Sequence, residues 1–329
     1  YSGGGATNAA VTFTRQDLDV YLFCKIGDDS AGKMVIEDLK GHGVNTDNFY
    51  LSKTIGTSSS FVVPALSGDR TIFAYRGANT KLSKDELPIE GILDSDFVYV
   101  TSLSQDSSAR LPDIANIAKK KSVPVAVNPG ISQLKEGAAF LKEALKVGID
   151  TLILNDDEAA QLMASLIDTD QKLAKLIASA SIKTSKKDKS SKDNKVNLID
   201  EMIYFGDLSF SLRQFFRQIL DYGVKQVVVT LGSKGVCVAT SEQLYFHDTP
   251  KGIKVVNTLG AGDAFGSAFT RALYTQEDIE TSIIFGILNS CSVIAHPDAK
   301  SGALTKDELD KKIKGFHKSS NTSLTKVKW

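Results

Sequence analysis

The chain passes from a β-rich run, 236–256, into a helical run, 264–274, through Asn257-Thr258-Leu259-Gly260-Ala261-Gly262-Asp263-Ala264-Phe265. The N–H groups at a helix N-terminus have no intrahelical partner, and the helix dipole makes that end positive. Glycines at 260 and 262 let an anion approach the backbone closely, and Asp263 directly after them is a candidate proton acceptor. An anion cradle beside a base is what phosphoryl transfer to an alcohol requires.

Two other interpretations of this segment are open. Gly-x-Gly also forms plain tight turns between a strand and a helix. The spacing Gly260-x-Gly262-x-x-x-Gly266 also resembles a loose dinucleotide-binding fingerprint. The choice between these interpretations depends on the other motifs of the chain.

The composition is that of an ordinary globular protein. Of the 329 residues, 42% are hydrophobic and 24% are charged, which predicts one large domain or two smaller ones. Lys+Arg and Asp+Glu both total 39, so the zero net charge argues against nucleic acid or a membrane surface as partner. The three cysteines lack metal-ligand spacing, no apolar run reaches about 18 residues, and no signal peptide is visible, which together predict a cytoplasmic protein.

Strand signals dominate the first third of the chain, and strand and helix signals alternate after it. Residues 20–26 are a predicted strand, and 60–66 with 70–75 are a predicted hairpin around Ser67-Gly68-Asp69. From residue 96, the alternation indicates a parallel sheet with helices on both faces. The later predicted strands are 97–100, 123–127, 151–154, 226–230 and 236–239, and the predicted helices are 107–121, 132–147, 156–167, 208–222, 262–274, 277–295 and 305–314.

A lysine-rich segment interrupts this pattern. Residues 181–195 consist almost entirely of lysine, serine, threonine and other polar side chains. Such a segment buries too little apolar surface to order itself. We therefore expect a flexible insertion over 181–200, in preference to a nucleic-acid-binding patch.

Polar clusters at predicted strand and helix ends are candidate ligand-binding elements. Gly3-Gly4-Gly5 precedes a short predicted helix, where Asn8 suits a pair of sugar hydroxyls or simply caps the helix. Arg76-Gly77-Ala78-Asn79 follows the predicted hairpin, and Asn128 follows strand 123–127. Because ligands of open α/β sheets bind beyond the carboxyl ends of the strands, Asn128 is well placed, although an Asx-turn is the alternative.

Two more motifs follow later predicted strands. Asn155-Asp156-Asp157-Glu158 enters a helix, where its carboxylates either stabilise the first turn or help to hold Mg²⁺. Thr230-Leu231-Gly232-Ser233-Lys234-Gly235 is either a hairpin turn or a backbone platform for a nucleotide. The chain has no Walker-type P-loop and no Gly-x-Ser-x-Gly motif, and its four histidines show no metal-ligand spacing.

These segments, in this order, resemble the ribokinase-like (PfkB) family of carbohydrate kinases over nearly the whole chain. Residues 257–263 match the family's closing signature, Asp-Thr-x-Gly-Ala-Gly-Asp, at all but the first position. The family's Gly-Gly-x-x-x-Asn, Asn-x-x-Glu and Thr-x-Gly-x-x-Gly motifs match Gly3, Gly4 and Asn8; Asn155 and Glu158; and Thr230, Gly232 and Gly235. The resemblance implies a single domain over 1–329 with a three-layer α/β/α fold, a mostly parallel central sheet, and a small β-sheet lid from about 10–26 and 57–77.

The resemblance also implies an ATP-dependent sugar kinase and a role for each motif. Asp263 would be the catalytic base, and the backbone amides of Gly260, Ala261 and Gly262 would form the anion hole. The lid would close over the sugar and is a candidate homodimer interface. The implied sugar-binding residues are Gly3, Gly4, Asn8, Arg76, Asn79 and Asn128; the implied ATP-binding residues are Asn155, Thr230, Gly232, Gly235 and Asn289; Glu158 and Asn155 would position Mg²⁺ through water.

The chain departs from the family pattern at two places. Asn257 replaces an Asp that in many relatives helps to bind K⁺, together with the main-chain oxygen two residues later, here Leu259. K⁺ is therefore only a possible cofactor, with Asn257 and Leu259 as its candidate ligands. The family's first strand normally precedes the Gly-Gly motif, so we also expect residues upstream of Tyr1.

Three rival functions are open at the sequence level. A nucleoside kinase of the same superfamily would stack a base on lid aromatics, for which Phe61, Phe73 and Tyr75 are candidates. A catalytically silent sugar-binding or regulatory protein is a second possibility, which intact Asp263 and Glu158 argue against. A dehydrogenase is the third, and the glycine spacing fits it poorly. Arg76, Asn79 and Asn128 favour a free sugar as substrate.

Overall fold

The structure is a computed structural model and describes residues 2–64, 70–169, 199–200, 202–206, 208–316 and 324–329. Of the predicted insertion over 181–200, all but Ile199 and Asp200 lie outside the described residues. The helices are α1 (Gly5–Arg15), α2 (Ser30–Gly41), α3 (Ile89–Leu93), α4 (Arg110–Lys119), α5 (Ile131–Lys135), α6 (Ala138–Gly148), α7 (Asp156–Thr169), α8 (Leu212–Leu220), α9 (Ala261–Tyr274), α10 (Ile279–Val293) and α11 (Lys306–Phe316). The strands are β1 (Cys24–Gly27), β2 (Phe49–Ser52), β3 (Ser59–Pro64), β4 (Arg70–Tyr75), β5 (Val98–Val100), β6 (Val125–Val127), β7 (Thr151–Asn155), β8 (Met202–Phe205), β9 (Leu208–Ser211), β10 (Gln226–Thr230), β11 (Val236–Ala239), β12 (Gln243–His247) and β13 (Leu324–Lys328).

A mixed sheet with the strand order β13-β12-β11-β10-β7-β6-β5 forms the centre of the protein. Strands β5, β6, β7 and β10 pair in parallel. Strands β11, β12 and β13 continue the sheet as antiparallel neighbours. The prediction of a parallel sheet is therefore correct for the half formed by β5, β6, β7 and β10. The carboxyl ends of these four strands lie at one edge of the sheet.

Helices cover both faces of this sheet, which confirms the predicted three-layer arrangement. Alternate residues of a strand point to opposite faces. Leu152 and Leu154 of β7 join the core that includes helices α4 to α8. Ile153 between them joins a second core with Phe265 of α9 and Ile283 of α10.

The predicted helix over 208–222 is wrong in its first part. The Ser211 hydroxyl accepts the backbone N–H of Gln214 at 3.3 Å, and the Gln214 side chain accepts the backbone N–H of Ser211 at 2.8 Å. This capping box starts α8 at Leu212. Residues 208–211 consequently stay extended and pair with β8 as the strand β9. The predicted helix over 132–147 is similarly divided into α5 and α6 around Gly137, where a Cβ would lie 2.8 Å from the Ser108 side chain.

The first third of the chain is less strand-rich than predicted. Helix α2 was not predicted, and Asp29 caps it by accepting the Gly32 N–H at 2.8 Å. Within the predicted lid range 10–26, residues 10–15 belong to α1 and the strand begins only at Cys24, where β1 pairs in parallel with β2. Strands β3 and β4 form the predicted hairpin. The function of these strands as a lid stays a prediction.

Candidate active site

Helix α9 begins directly after Gly260, whose backbone is left-handed with φ 78°. Position 260 excludes larger residues for a second reason, because a Cβ there would overlap Ala299. Gly262 lies in the first helical turn with no atom within 4 Å of the position a Cβ would take. The N–H of Ala261 makes only a long hydrogen bond, 3.3 Å, to the Thr258 carbonyl. The first turn of α9 is thus open to an approaching anion.

The carboxylate of Asp263 lies between the first turns of α9 and α1. Its Oδ2 accepts a 2.7 Å hydrogen bond from Nδ2 of Asn8, which is 255 positions away in the chain. A Cβ at Gly5, the first residue of α1, would lie 3.2 Å from Oδ1 of Asp263. Burial raises the pKa of Asp263, and the Asn8 hydrogen bond opposes this shift. The predicted base and a predicted sugar-binding residue therefore form one pair.

The side-chain oxygen of Asn8, Oδ1, is buried without a hydrogen-bond partner among the described residues. Asn8 is 6% exposed. Gly3 and Gly4, at the start of the same helix, are exposed, and Gly4 caps α1 with φ 104°. This end of α1 therefore presents an unpaired acceptor beside an open backbone segment.

Three predicted residues lie at the carboxyl ends of the parallel strands. Asn128 follows β6 and donates through Nδ2 to the Ile153 carbonyl at 3.1 Å. Asn155 and Thr230 end β7 and β10 and are direct partners in the sheet register. The Thr230 hydroxyl contacts the Leu154 carbonyl at 3.4 Å. The sheet thus brings together motifs that are far apart in the sequence.

Asn155 and Glu158 form a reciprocal cap at the start of α7. The Glu158 N–H donates to the Asn155 side chain at 2.8 Å, and the Asn155 N–H donates to the Glu158 carboxylate at 2.9 Å. Burial is the main cause that raises the pKa of Glu158. The charges of Asp263, Asp157 and Asp156 add to this rise, and the Asn155 N–H opposes it. Asn155 and Glu158 therefore cap helix α7, and the negative charge of Asp263 contributes to the raised pKa of Glu158.

The glycines of the 230–235 motif form a tight turn between β10 and β11. Gly232 and Gly235 have φ 57° and 121°, and the Leu231 N–H donates to the Gly235 carbonyl at 2.8 Å. A Cβ at Gly235 would overlap the main chain of His247. Gly235 is thus needed for packing, whereas Gly232 has open space around it.

Arg76 and Asn79 are exposed near the end of β4. Among the described residues, no hydrogen bond joins either side chain to Asn8 or Asp263. The backbone carbonyl of Asn79 accepts the Ser107 hydroxyl at 2.7 Å. Their predicted contact with a sugar stays a prediction.

Asn289 lies in the interior and has no exposed surface. Its Nδ2 donates to the Ala264 carbonyl and its Oδ1 accepts the Leu304 N–H, both at 2.8 Å. The first bond ties α10 to the first turn of α9, and the second ties α10 to the segment before α11. The side chain is thus bonded within the protein, and its predicted contact with the nucleotide stays a prediction.

Asn257 joins two loops behind the first turn of α9. Its Oδ1 accepts the Leu259 N–H at 3.0 Å, and its Nδ2 donates to the Pro297 carbonyl at 2.9 Å. A cation site needs oxygen acceptors, and Asn257 instead aims an N–H group at the Pro297 oxygen. This donor does not fit the K⁺ ligand role considered for Asn257, and the role of the Leu259 oxygen stays a prediction.

The structure adds residues that the sequence motifs missed. The Tyr99 hydroxyl is buried without a partner among the described residues. Its pKa is well above the ordinary value because of burial, with further contributions from the charges of Asp263 and Glu158. A Cβ at Gly266 would lie 2.5 Å from this hydroxyl, and one at Gly5 would lie 3.0 Å from the Thr101 Cβ. The Gly3-Gly4-Gly5 run and the glycine at 266 were visible signals, whereas nothing in the sequence marked Tyr99.

Within the part of the chain that the structure describes, no group of three or more His, Cys, Asp or Glu side chains is arranged to hold a metal ion. No described helix has both the length and the apolar character to cross a bilayer. Mg²⁺ bound with a nucleotide needs only one or two protein carboxylates. Glu158 and Asn155 therefore stay the predicted magnesium-positioning residues.

Residues 1–186 and 211–306 match the sequence model of the pfkB family carbohydrate kinases. The chain belongs to the pfkB family of carbohydrate kinases. This pfkB kinase is a phosphotransferase that acts on a sugar hydroxyl, which confirms the predicted enzyme class. Between the two matched segments, residues 187–210 overlap the predicted insertion, which stays a prediction.

Proteins named as ribose-related kinases are similar to this pfkB kinase along most of their length. Ribokinase of Staphylococcus aureus (strain COL) is 26% identical over 289 residues, which cover 87% of this chain and 79% of that protein. The ATP-dependent ribose-1-phosphate kinase of Halopiger xanaduensis is 25% identical over 292 residues, which cover 89% and 79%. The structure of Arabidopsis thaliana ribokinase complexed with ribose and ATP has a TM-score of 0.72 at 23% identity and covers 94% of this chain and 86% of that chain. The fold is therefore ribokinase-like.

Proposed function

We propose that this pfkB kinase transfers the γ-phosphoryl group of ATP to a hydroxyl of a free sugar, with Asp263 as the general base. The observation that carries the proposal is the Asp263–Asn8 pair, which holds a carboxylate between the first turns of α1 and α9. A nucleotide phosphate suits the positive end of α9, and a sugar hydroxyl suits the unpaired oxygen of Asn8.

The proposed step needs a base and an anion hole at one place. The proton of the attacking hydroxyl passes to Asp263, the hydroxyl oxygen bonds to the γ-phosphorus, and the β–γ bridging oxygen leaves with ADP. The N–H groups of Gly260, Ala261 and Gly262 would face the charge that develops on the transferring group. In other enzymes one such donor contributes about 10²–10³-fold to kcat. The raised pKa of Asp263 moves the base towards the working pH, where proton transfer is most effective.

On the sugar side, Asn8 offers its buried Oδ1 to a hydroxyl donor, and the Asp263 carboxylate accepts from the reacting hydroxyl. Gly3 and Gly4 leave the backbone open beside them. Asn128, at the end of β6, would hold a further hydroxyl. Arg76 and Asn79 would complete the site when the β3–β4 hairpin closes over it, which also excludes water.

On the nucleotide side, Asn155, Thr230 and Gly232 line the edge where β7 and β10 end, and Gly235 holds the turn. The half-buried Glu158 carboxylate near Asp263 fits a magnesium ion held mainly through water. When bound, Mg²⁺ would neutralise charge on the phosphates. Glu158 and Asn155 would hold the ion.

Ribose is the first sugar to test, since the two curated relatives described above act on ribose or its phosphate by name. A nucleoside kinase is the second candidate, because Phe61 and Phe73 are register partners in the hairpin and are 70% and 63% exposed. Such rings would stack on a base. The β lid, to which this hairpin is predicted to belong, is also the predicted homodimer interface.

The test is ADP formation by the purified protein with Mg²⁺ and ATP against pentoses, hexoses, sugar phosphates and nucleosides, with the phosphorylated product identified by mass spectrometry. We expect a pentose to stimulate ADP release most. Preference for a nucleoside would favour the second candidate. Ligand binding without any stimulated turnover would instead indicate a silent sugar-binding protein and overturn the proposal.

A further inference from the structure

The loop 294–301 supports the turn before α9 from behind. The backbone N–H groups of Val256 and Asn257 both donate to the Ile294 carbonyl, at 2.8 and 3.1 Å. Gly260 lies so close to Ala299 that only glycine fits. The position of the predicted anion hole therefore depends on how the 256–260 turn is held against this loop.

The side chain of Asn257 provides the third connection. Its two polar atoms face opposite kinds of partner, a backbone N–H at Leu259 and a carbonyl oxygen at Pro297. If the amide were flipped, its NH₂ group would face the Leu259 N–H and its oxygen would face the Pro297 carbonyl oxygen. The two partners together therefore determine the orientation of the amide. One neutral side chain thus bridges the two loops with both hydrogen bonds satisfied.

An aspartate at 257 would behave differently. Its carboxylate would still accept the Leu259 N–H, but its other oxygen would face the Pro297 oxygen at about the present 2.9 Å with no proton between them. Two acceptors in that arrangement repel each other unless a cation lies between them. The amide N–H of Asn257 already occupies that bridging position.

The loop behind the turn is also braced from within. Asp298 accepts the N–H groups of Lys300 and Ser301 at 2.8 and 2.7 Å and the Ser301 hydroxyl at 2.6 Å. The Lys300 ammonium is buried and pairs with Asp38 at 3.1 Å. The loop therefore holds its shape through hydrogen bonds and an ion pair made by the chain itself.

We propose that Asn257 is a positioning residue whose amide takes the place of a bound monovalent cation, so that this kinase holds its anion hole without K⁺. Asn257 touches no reacting atom and acts through the 256–260 turn. The kinetic part of this inference rests on the proposed kinase function. The structural part concerns only the two loops and is tested separately.

The test compares the wild-type protein, Asn257→Asp and Asn257→Ala in KCl, NaCl and choline chloride at constant ionic strength. The first readout is the melting temperature, which needs no substrate. We expect the wild-type value to be the same in all three salts. Asn257→Asp should melt lower in choline and regain stability in K⁺, while Asn257→Ala should be destabilised equally in all salts. Asn116→Asp is the matched control, because Asn116 also donates to a main-chain carbonyl, that of Pro112 at 2.9 Å, but lies on α4.

The second readout is kcat in the same salts. The wild-type enzyme should keep at least about half of its rate in choline, and Asn257→Asp should lose roughly tenfold there and recover in K⁺. A tenfold stimulation of the wild-type enzyme by K⁺, or a K⁺-specific rise in its melting temperature, would overturn the inference even if the variants fail to fold. An Asn257→Asp protein as indifferent to cations as the wild type would overturn it as well. Absence of turnover on every substrate, with the expected melting pattern, would count against the proposed function alone.

Discussion

Two asparagine–carboxylate pairs in this site differ in how they are built. Asn155 and Glu158 are three positions apart and bond only through each other's backbone N–H groups. Asn8 and Asp263 are 255 positions apart and bond side chain to side chain at 2.7 Å. The first pair is a local helix cap, whereas the second exists only because α1 lies against α9.

The two carboxylates share a raised pKa in spite of this difference. Burial is the main cause in both, and in each an N–H donor opposes it. Carboxyl groups perturbed in this way are typical of functional sites. A local helix cap and a long-range pair can thus contribute to the same site. Variants that remove the charge of one carboxylate but keep its hydrogen bond test which of the two is needed for catalysis.

The largest effect is expected for Asp263→Asn. The substitution keeps an oxygen that accepts from Asn8 but removes the proton acceptor, so kcat should fall roughly 10²–10⁴-fold while ATP binding is largely retained. Single-turnover rates measure the loss of catalysis, and the nucleotide dissociation constant measures whether ATP binding is retained. Asp307→Asn, an exposed first-turn aspartate of α11, is the control. Near-normal turnover of Asp263→Asn would show that the long-range pair is not the catalytic centre.

The next effect separates the two glycines of the anion hole. Gly260→Ala forces a left-handed residue against Ala299 and should lower the free energy of unfolding by about 1–3 kcal/mol. Gly262→Ala has open space and should keep or slightly raise stability, yet its methyl group enters the proposed phosphoryl site and should lower kcat about 10²-fold. Thermal melts and kcat distinguish them. Equal activity of Gly262→Ala and wild type would show that the phosphoryl group does not occupy the open space beside Gly262.

Glu158→Gln should have a smaller effect, about 10–100-fold on kcat. Glutamine can still accept the Asn155 N–H, so the cap and the melting temperature should survive while the charge is lost. The Mg²⁺ concentration needed for half-maximal rate should rise. Asp157→Asn, an exposed neighbour in the same turn, is the matched control. Unchanged magnesium dependence would leave the Asn155–Glu158 pair with only its capping role.

Asn8→Ala should lower kcat/KM about tenfold through the loss of a hydrogen bond to a charged group. Because that bond holds the Asp263 pKa down, its removal should raise the pKa further. The acid limb of the pH–rate profile should therefore move to higher pH. A profile that keeps its position while the KM for the sugar rises would assign Asn8 to substrate binding alone.

The smallest effect concerns stability. The folded-state pKa of Asp263 is raised above its unfolded value, so ionisation disfavours the folded state as pH rises through the folded-state pKa. Asp263→Asn should therefore melt higher than the wild type at pH 7.5. The difference should shrink as the pH falls towards about 4. A melting difference that is independent of pH would contradict the raised pKa.

Local signals predicted much of the fold. The predicted strands at 226–230 and 236–239 coincide with β10 and β11, since short apolar runs between turn residues leave few alternatives. The errors arose where a capping box started a helix later than predicted, as at Ser211. They also arose where a strand pairs with a partner far along the chain, as the unpredicted β13 does with β12. Pairing partners of this kind lie outside any local window.

The sequence by itself determined the motifs, their order and the local turns, because capping boxes and glycine conformations involve only neighbouring residues. It therefore indicated the kinase family and the carboxylates 158 and 263. Only the tertiary structure decided that Asn8 reaches Asp263, that Tyr99 lies buried beside Gly266, that Asn289 is internal, and that Asn257 bridges to Pro297. These contacts join residues from separate elements, and their distances and pKa values follow from burial, which the packing of the helices on the sheet creates.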